Sequence, residues 1–213
     1  MKMEHKKHYS VWDKISHAIK NDLFLFASRN FLARLGLDIM LYYWVQEEHE
    51  PCNQPKIKGD ASKYTVRELS IDEVIAINQG NTSVSLEDVT KSMKQGQICL
   101  GLETEGEIAA YNLIGLEGFN FKGREFKLKP NEFYLSYMWT FHEYRGRNLA
   151  PYLRYESYRY LEKKGRDRKY SITDRFNKSS IRFKKKLNSK HLNSYLSIGI
   201  FNLFTWNYTL RQS

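Results

Sequence analysis

Seven residues, Tyr144-Arg145-Gly146-Arg147-Asn148-Leu149-Ala150, lie between an apolar run of strand character, Phe133 to Thr140, and a run of helical character, Leu149 to Lys164. A chain that leaves a strand and winds into a helix presents consecutive backbone N–H groups with no intrahelical partner, and the helix dipole adds positive potential there. A pyrophosphate satisfies both. The junction therefore asks for a layered fold with strand and helix adjacent in sequence, and it predicts an anion-binding turn over residues 145–150.

Further along, Tyr170-Ser171-Ile172-Thr173-Asp174 has strand character, and Asn177-Lys178-Ser179-Ser180-Ile181-Arg182-Phe183 opens a helix. By these two motifs the chain resembles the GNAT superfamily of acyl-coenzyme A-dependent N-acyltransferases, whose signature is Arg or Gln, two residues, Gly, one residue, then Gly or Ala. Arg145 and Ala150 match its ends. Asn148 stands where the middle Gly is usual, and Asn tolerates left-handed backbone angles and caps helices. Asn177, Ser180 and Phe183 match the positions that hold the pantetheine arm in that family; the usual Tyr seven residues beyond the Asn is Lys184 here, and the usual Gly-Phe is Asn188-Ser189. The resemblance runs from Lys63 to the C-terminus.

The resemblance implies an α/β (α+β) fold: a mixed, mostly antiparallel twisted sheet, splayed at the acyl-CoA site and flanked by helices, with residues 1–62 as an N-terminal extension and 63–213 as the acyltransferase domain. It implies that Met138, Trp139 and Thr140 line the splay, that Arg145, Gly146, Arg147, Asn148, Leu149 and Ala150 bind the phosphates, and that acetyl-CoA or another acyl-CoA is the co-substrate, with no metal. The implied reaction moves acetyl to a primary amine of a small molecule or a cell-envelope precursor such as an amino sugar. A non-catalytic acyl-CoA-binding module and a charge-driven membrane or nucleic-acid binder are the alternative classes.

Amide formation from a thioester needs a neutral amine, and an alkyl amine near pKa 10 is mostly protonated at neutral pH, so a base or a water relay must take its proton. The position of a catalytic Glu in some relatives holds Tyr134, a weak candidate because a phenol is a poor base. Glu132 reads as a solvated turn carboxylate and His142 as a loop residue. Lys184 neutralises phosphate, bonds the leaving thiolate, or is surface charge in the run Lys184-Lys185-Lys186. No catalytic residue is assigned, and the base is expected to be water or an unassigned group.

The formal charge of +10 is concentrated between Glu162 and His191, which holds twelve Lys or Arg against three acids and flanks both motifs. A basic rim of this kind suits the phosphates of coenzyme A, and no recognised module accompanies it for specific nucleic-acid binding. Cys52 and Cys99 build no disulfide framework. The six His, His5 and His8 in a polar tail among them, lack the paired spacing of a metal site. No apolar leader follows the basic start, and Leu23 to Val45 is interrupted by Arg29, Asn30, Arg34 and Asp38, so a cytoplasmic protein is expected.

In the extension, a helix is expected over Trp12 to Leu35 and a strand over Ile39 to Val45, with Glu47 to Ser62 as the boundary. Phe24, Phe31 and Leu35 share a helix face that packs on the main domain or makes peripheral contact with a membrane. From Lys63 the order is strand, helix, helix, three strands, helix, strand, helix, two strands. Ser70-Ile71-Asp72-Glu73 is a capping box, a second helix starts at Ser85, and Glu105-Gly106 turns a hairpin. Gly115 to Pro130 is loop-like with room for a small hairpin, and Leu192 to Ile198 pairs with the alternating strand Phe204 to Leu210. A small-molecule amine is the expected partner, in a monomer or homodimer.

Overall fold

The computed structural model describes residues 24–79, 85–201 and 203–212. In chain order they form α1 (Phe24–Arg34), β1 (Leu37–Gln46), β2 (Tyr64–Leu69), α2 (Ile71–Asn78), α3 (Leu86–Lys94), β3 (Ile98–Thr104), β4 (Glu107–Gly115), β5 (Phe119–Phe121), β6 (Arg124–Phe126), β7 (Glu132–Thr140), α4 (Leu149–Glu162), β8 (Arg168–Asp174), α5 (Lys178–Lys185), β9 (Lys190–Ile200) and β10 (Phe204–Gln212). From Lys63 on, this is the order read from the sequence, with β5 and β6 as the small hairpin. Of the helix expected over Trp12 to Leu35, Phe24–Arg34 is present; the rest, like His5 and His8, lies outside the described residues.

Local chemistry sets several of these boundaries. The Ser70 hydroxyl accepts the Glu73 N–H at 3.3 Å, and the Glu73 carboxylate accepts the Ser70 N–H at 2.8 Å, so two orphan donors of α2 are satisfied reciprocally. Glu105 and Gly106 both take positive φ, 52° and 81°, as a two-residue turn matched to strand twist requires.

The strands form one eight-stranded sheet in the order β10-β9-β1-β8-β7-β4-β3-β2, with β5–β6 as a separate two-stranded ribbon. Every pairing is antiparallel except β7 with β8, which is parallel. On one face α4 packs Leu149, Leu153, Tyr158 and Leu161 against Leu100, Leu102, Ile114 and Phe133 of the sheet. Full burial of such side chains is worth roughly 1.5–3 kcal/mol each. On the other face, Val74 of α2 and Val89 of α3 cover Leu69, Cys99, Tyr111 and Leu113. Beside them the β5–β6 ribbon lays Phe126 and Phe121 over Tyr42 and Tyr195.

The sheet runs across residue 62. β1 comes from the segment expected as an extension, yet it lies between β8 and β9, pairing Tyr42 with Asp174 on one side and with Tyr195 on the other. Its sequence LDIMLYYWVQ is apolar almost throughout, as suits a strand flanked on both edges, with Met40, Tyr42 and Val45 buried. The stretch expected as a boundary also joins the core: Ile57 is buried within the cluster under α4.

Candidate functional site

The parallel register of β7 and β8 holds only Glu132 with Arg168, Phe133 with Lys169 and Tyr134 with Tyr170. Beyond Tyr134 the two strands part. The cause lies in the pairing of β7 with β4, which shifts from Leu135 opposite Ile114 to Tyr137 opposite Leu113, leaving Ser136 as an extra, unopposed residue. A β-bulge bends its strand and sharpens the twist. The Ser136 hydroxyl fixes the bend by donating to Leu113 O at 3.0 Å.

Parting two strands orphans main-chain groups, and side chains from the helices take them up. Lys184 of α5 donates to Ile172 O at 3.2 Å, and Arg154 of α4 reaches Leu135 O at 3.5 Å. These two cations surround Glu47, which is fully buried. Arg154 grips it with two bonds, Nε to Oε2 at 2.8 Å and Nη2 to Oε1 at 2.7 Å, while Tyr158 donates its hydroxyl and Lys184 Nζ stands 3.5 Å away. Burial alone raises the carboxyl's pKa, but Arg154 and then Lys184 outweigh it and hold Glu47 down at about 2. For Lys184 burial dominates and, despite Glu47, lowers the ammonium to about 8. The Asn112 amide accepts from Arg154 at 2.8 Å and donates to Ser157 at 3.1 Å, extending the network beneath β4.

Above this crotch lies a cleft of about 690 Å³ between the end of β7, the 144–148 turn and the starts of α4 and α5. Gly146 has φ +81° with nothing within 4 Å of where a Cβ would be, and Asn148 is left-handed at φ 66°. Asn148 is the N-cap of α4 but makes no side-chain cap; its amide is spent on Lys56 O at 2.8 Å. The first N–H groups of α4 therefore carry no side-chain acceptor, which is what an anion needs. Lys58 and Lys186 add cations to the wall. Arg145 is held by a bond from Nε to Thr140 O at 3.0 Å and stacks over the Trp139 ring at 5.1 Å.

Of the residues expected at the cofactor, Met138, Trp139, Thr140, Arg145, Gly146, Asn148, Leu149 and Ala150 line this cleft together. The others sit differently. Arg147 turns toward Tyr64 Oη, 3.4 Å away, and over the Tyr144 ring. Asn177 caps α5, accepting the Ser180 N–H at 3.0 Å, so that Ser179 rather than Ser180 faces the cleft. Phe183 packs into the core near Arg154. Lys184 is not surface charge: it is buried and bonds Ser171 at 2.7 Å and Thr173 as well as Ile172 O. Tyr134 is buried and stacked on Phe119 at 3.9 Å, and burial pushes its hydroxyl pKa up, so it stays protonated.

Sequence reasoning missed Lys58 and Lys186 and the bracing of the turn, in which the Lys58 N–H donates to Arg147 O at 2.9 Å. The signal was the pair Lys56 and Lys58 in a stretch read as a boundary. On the opposite face, a second cavity of about 450 Å³ is walled by Ser92, Gln95, Gln97, Glu117, Asn120 and Tyr134 among others.

Solved structures share this fold. An acetyltransferase of the GNAT family from Colwellia psychrerythraea matches at a TM-score of 0.56 and 11% identity, over 80% of this chain and 61% of that one. A putative GNAT-family acetyltransferase from Novosphingobium aromaticivorans matches at 0.52 and 18% identity, over 77% and 66%. This chain has the GNAT fold. A fungal GCN5-related glucosamine N-acetyltransferase region shares that fold, with a TM-score of 0.56 and 14% identity over 82% of this chain and 22% of that one. The chain spans less than two thirds of the length of these GNAT structures. No family model and no curated protein matches the sequence. Relative to the GNAT order expected from Lys63 onward, β1 is the addition, inserted in the C-terminal half of the sheet.

Proposed function

We propose that this chain is an acyl-CoA-dependent N-acyltransferase, moving acetyl from acetyl-CoA to the primary amine of a small molecule or cell-envelope precursor such as an amino sugar. The observation that carries the proposal is the opening between β7 and β8, which leads to the uncapped first turn of α4. Bound acetyl-CoA supplies the electrophilic thioester carbon. Gly146 and the Leu149 and Ala150 N–H groups at the start of α4 would hold the pyrophosphate, with Lys58 and Lys186 as counter-charges. β7 N–H groups beyond Tyr134, left without a β8 partner, would polarise a carbonyl placed in the opening.

A lysine ammonium has three donors, and Ser171, Ile172 O and Thr173 occupy those of Lys184. Lys184 is thus a positioning residue that takes up groups of β8 where it has parted from β7. Tyr134 keeps its proton and is no base, so water takes the proton of the amine. For the acceptor, the amide and hydroxyl groups of the second cavity suit a polar molecule, and Glu117 offers a counter-charge to its amine. One protein of similar fold is described as a glucosamine N-acetyltransferase.

The test is thiol release from acetyl-CoA over a panel of amines: amino sugars, polyamines and a lysine peptide. Release that depends on an amino sugar is expected. Coenzyme A binding with no release for any amine would replace the enzyme with a binding module.

A further inference from the structure

Among the described residues, every large apolar side chain left exposed lies in α1, β1, β9, β10 or the turns joining α1 to β1 and β9 to β10. Two separate segments build the tip of this patch. Phe31 comes from α1 and Leu35 from the turn after it; Leu203, 76% exposed, comes from the β9–β10 turn and Phe204, 61% exposed, opens β10. They are fastened together at Gly36, whose carbonyl accepts the Phe201 N–H at 2.6 Å and whose missing Cβ leaves room for the Phe201 ring. From the tip, Trp206 and Tyr208 continue along one face of the edge strand β10, and Leu210 is exposed at its bulge. The opposite face of that strand is partly engaged, with Asn207 donating to Lys122 O at 2.7 Å and Arg124 to Thr209 at 3.3 Å.

The charge around this patch is basic: Arg29 and Arg34 come from α1 and Arg211 from β10, and Lys122 and Arg124 of the β5–β6 ribbon meet β10 at Asn207 and Thr209. In α1, β1, β9 and β10 the one carboxylate is Asp38, which is tied up by Arg29 and Lys122. We propose that this tip docks on an anionic lipid bilayer. Apolar side chains on a projecting turn enter the headgroup region, Trp206 and Tyr208 take the interfacial level, and the cations meet anionic headgroups. A second copy is the poorer occupant, because it would bring a second basic surface whose one carboxylate, Asp38, is already paired.

The experiment is co-sedimentation of the full chain with vesicles of equimolar phosphatidylcholine and phosphatidylglycerol, and with phosphatidylcholine alone. Capture is expected on the anionic vesicles and is expected to weaken as salt rises. Leu203→Glu/Phe204→Glu, at side chains that are mostly exposed, should cut capture by about tenfold or more with an unchanged melting temperature. Arg34→Glu/Arg211→Glu should lower it on anionic vesicles alone. Three results would overturn the proposal: no capture of the parent, equal capture of the Leu203/Phe204 variant, or a parent dimer that this variant turns into a monomer. A large drop in its melting temperature would also count against it, since the tip would then be packed within the chain.

Discussion

Replacing Glu47 by Gln isolates the charge that holds the crotch of the splayed sheet. The carboxylate is fully buried, receives two bonds from Arg154 at 2.8 and 2.7 Å, and faces Lys184 at 3.5 Å. Glutamine keeps the size but sets an amide donor against a guanidinium donor and leaves two buried cations without a counter-charge. Lys184 can shed its proton, since it already stands at about 8. Arg154 cannot. Breaking a buried pair of this kind costs about 3–5 kcal/mol. The depression of the Glu47 carboxyl from 4.5 to about 2 gives about 3 kcal/mol by linkage. A depressed carboxyl stabilises the fold fully above its unfolded pKa, and that stability is lost as pH falls from about 4.5 through about 2. Urea unfolding at neutral pH should therefore show a lower midpoint with an unchanged slope, and the difference between parent and variant should shrink on acidification. A neutral-pH loss below about 1 kcal/mol, no more than a neutral hydrogen bond, would refute the assignment of Glu47 as the counter-ion.

Three further outcomes follow from the same network and its surroundings. The folded pKa of Lys184 lies below its unfolded value, so the unfolded chain binds more protons between about 8 and 10.5; stability should gain from this group over that window, and the gain should be missing in Lys184→Met by parallel urea titrations. Asn177→Ala should lose about 1 kcal/mol with the cap of α5, whereas Asn177→Asp should keep the cap; a raised acetyl-CoA KM in the Asp variant would show that the amide N–H also serves the pantetheine arm, and melting curves with initial rates check both. Tyr134→Phe should reduce turnover by less than about tenfold, about 1.4 kcal/mol in the barrier, and a thousandfold loss with intact cofactor binding would make Tyr134 the base.

The parts of the fold that were legible in sequence are those set by neighbours in the chain. The turn at Gly146 and Asn148, the capping box at Ser70 and the hairpin at Glu105-Gly106 all follow from which residues accept positive φ or satisfy a helix end. Pairing between distant segments left no local mark. The run Leu37–Gln46 carries the apolar character of an interior strand, but nothing in its periodicity says that it enters between β8 and β9. Glu47 sits in a polar stretch preceding two prolines and resembles a linker carboxylate until Arg154, Tyr158 and Lys184 converge on it. Lys184 looks like its exposed neighbours Lys185 and Lys186, and only the helix face it takes on α5 turns it inward. The base stayed illegible because the β7 position considered for it carries a Tyr stacked between aromatic rings.

The central claim is that coenzyme A is held where β7 and β8 part, with its pyrophosphate at the turn before α4. Isothermal titration of the full chain with coenzyme A, run beside Gly146→Val, tests it most directly. Gly146 sits at φ +81° in open space, so a β-branched side chain there meets backbone strain rather than a clash, at about 1–2 kcal/mol in a left-handed conformation. The predicted result is one site per chain in the parent and an affinity lower by about tenfold in the variant, with the melting temperature lowered by only the few degrees that this strain implies. Absence of binding to the parent, or equal binding to both proteins, would contradict it.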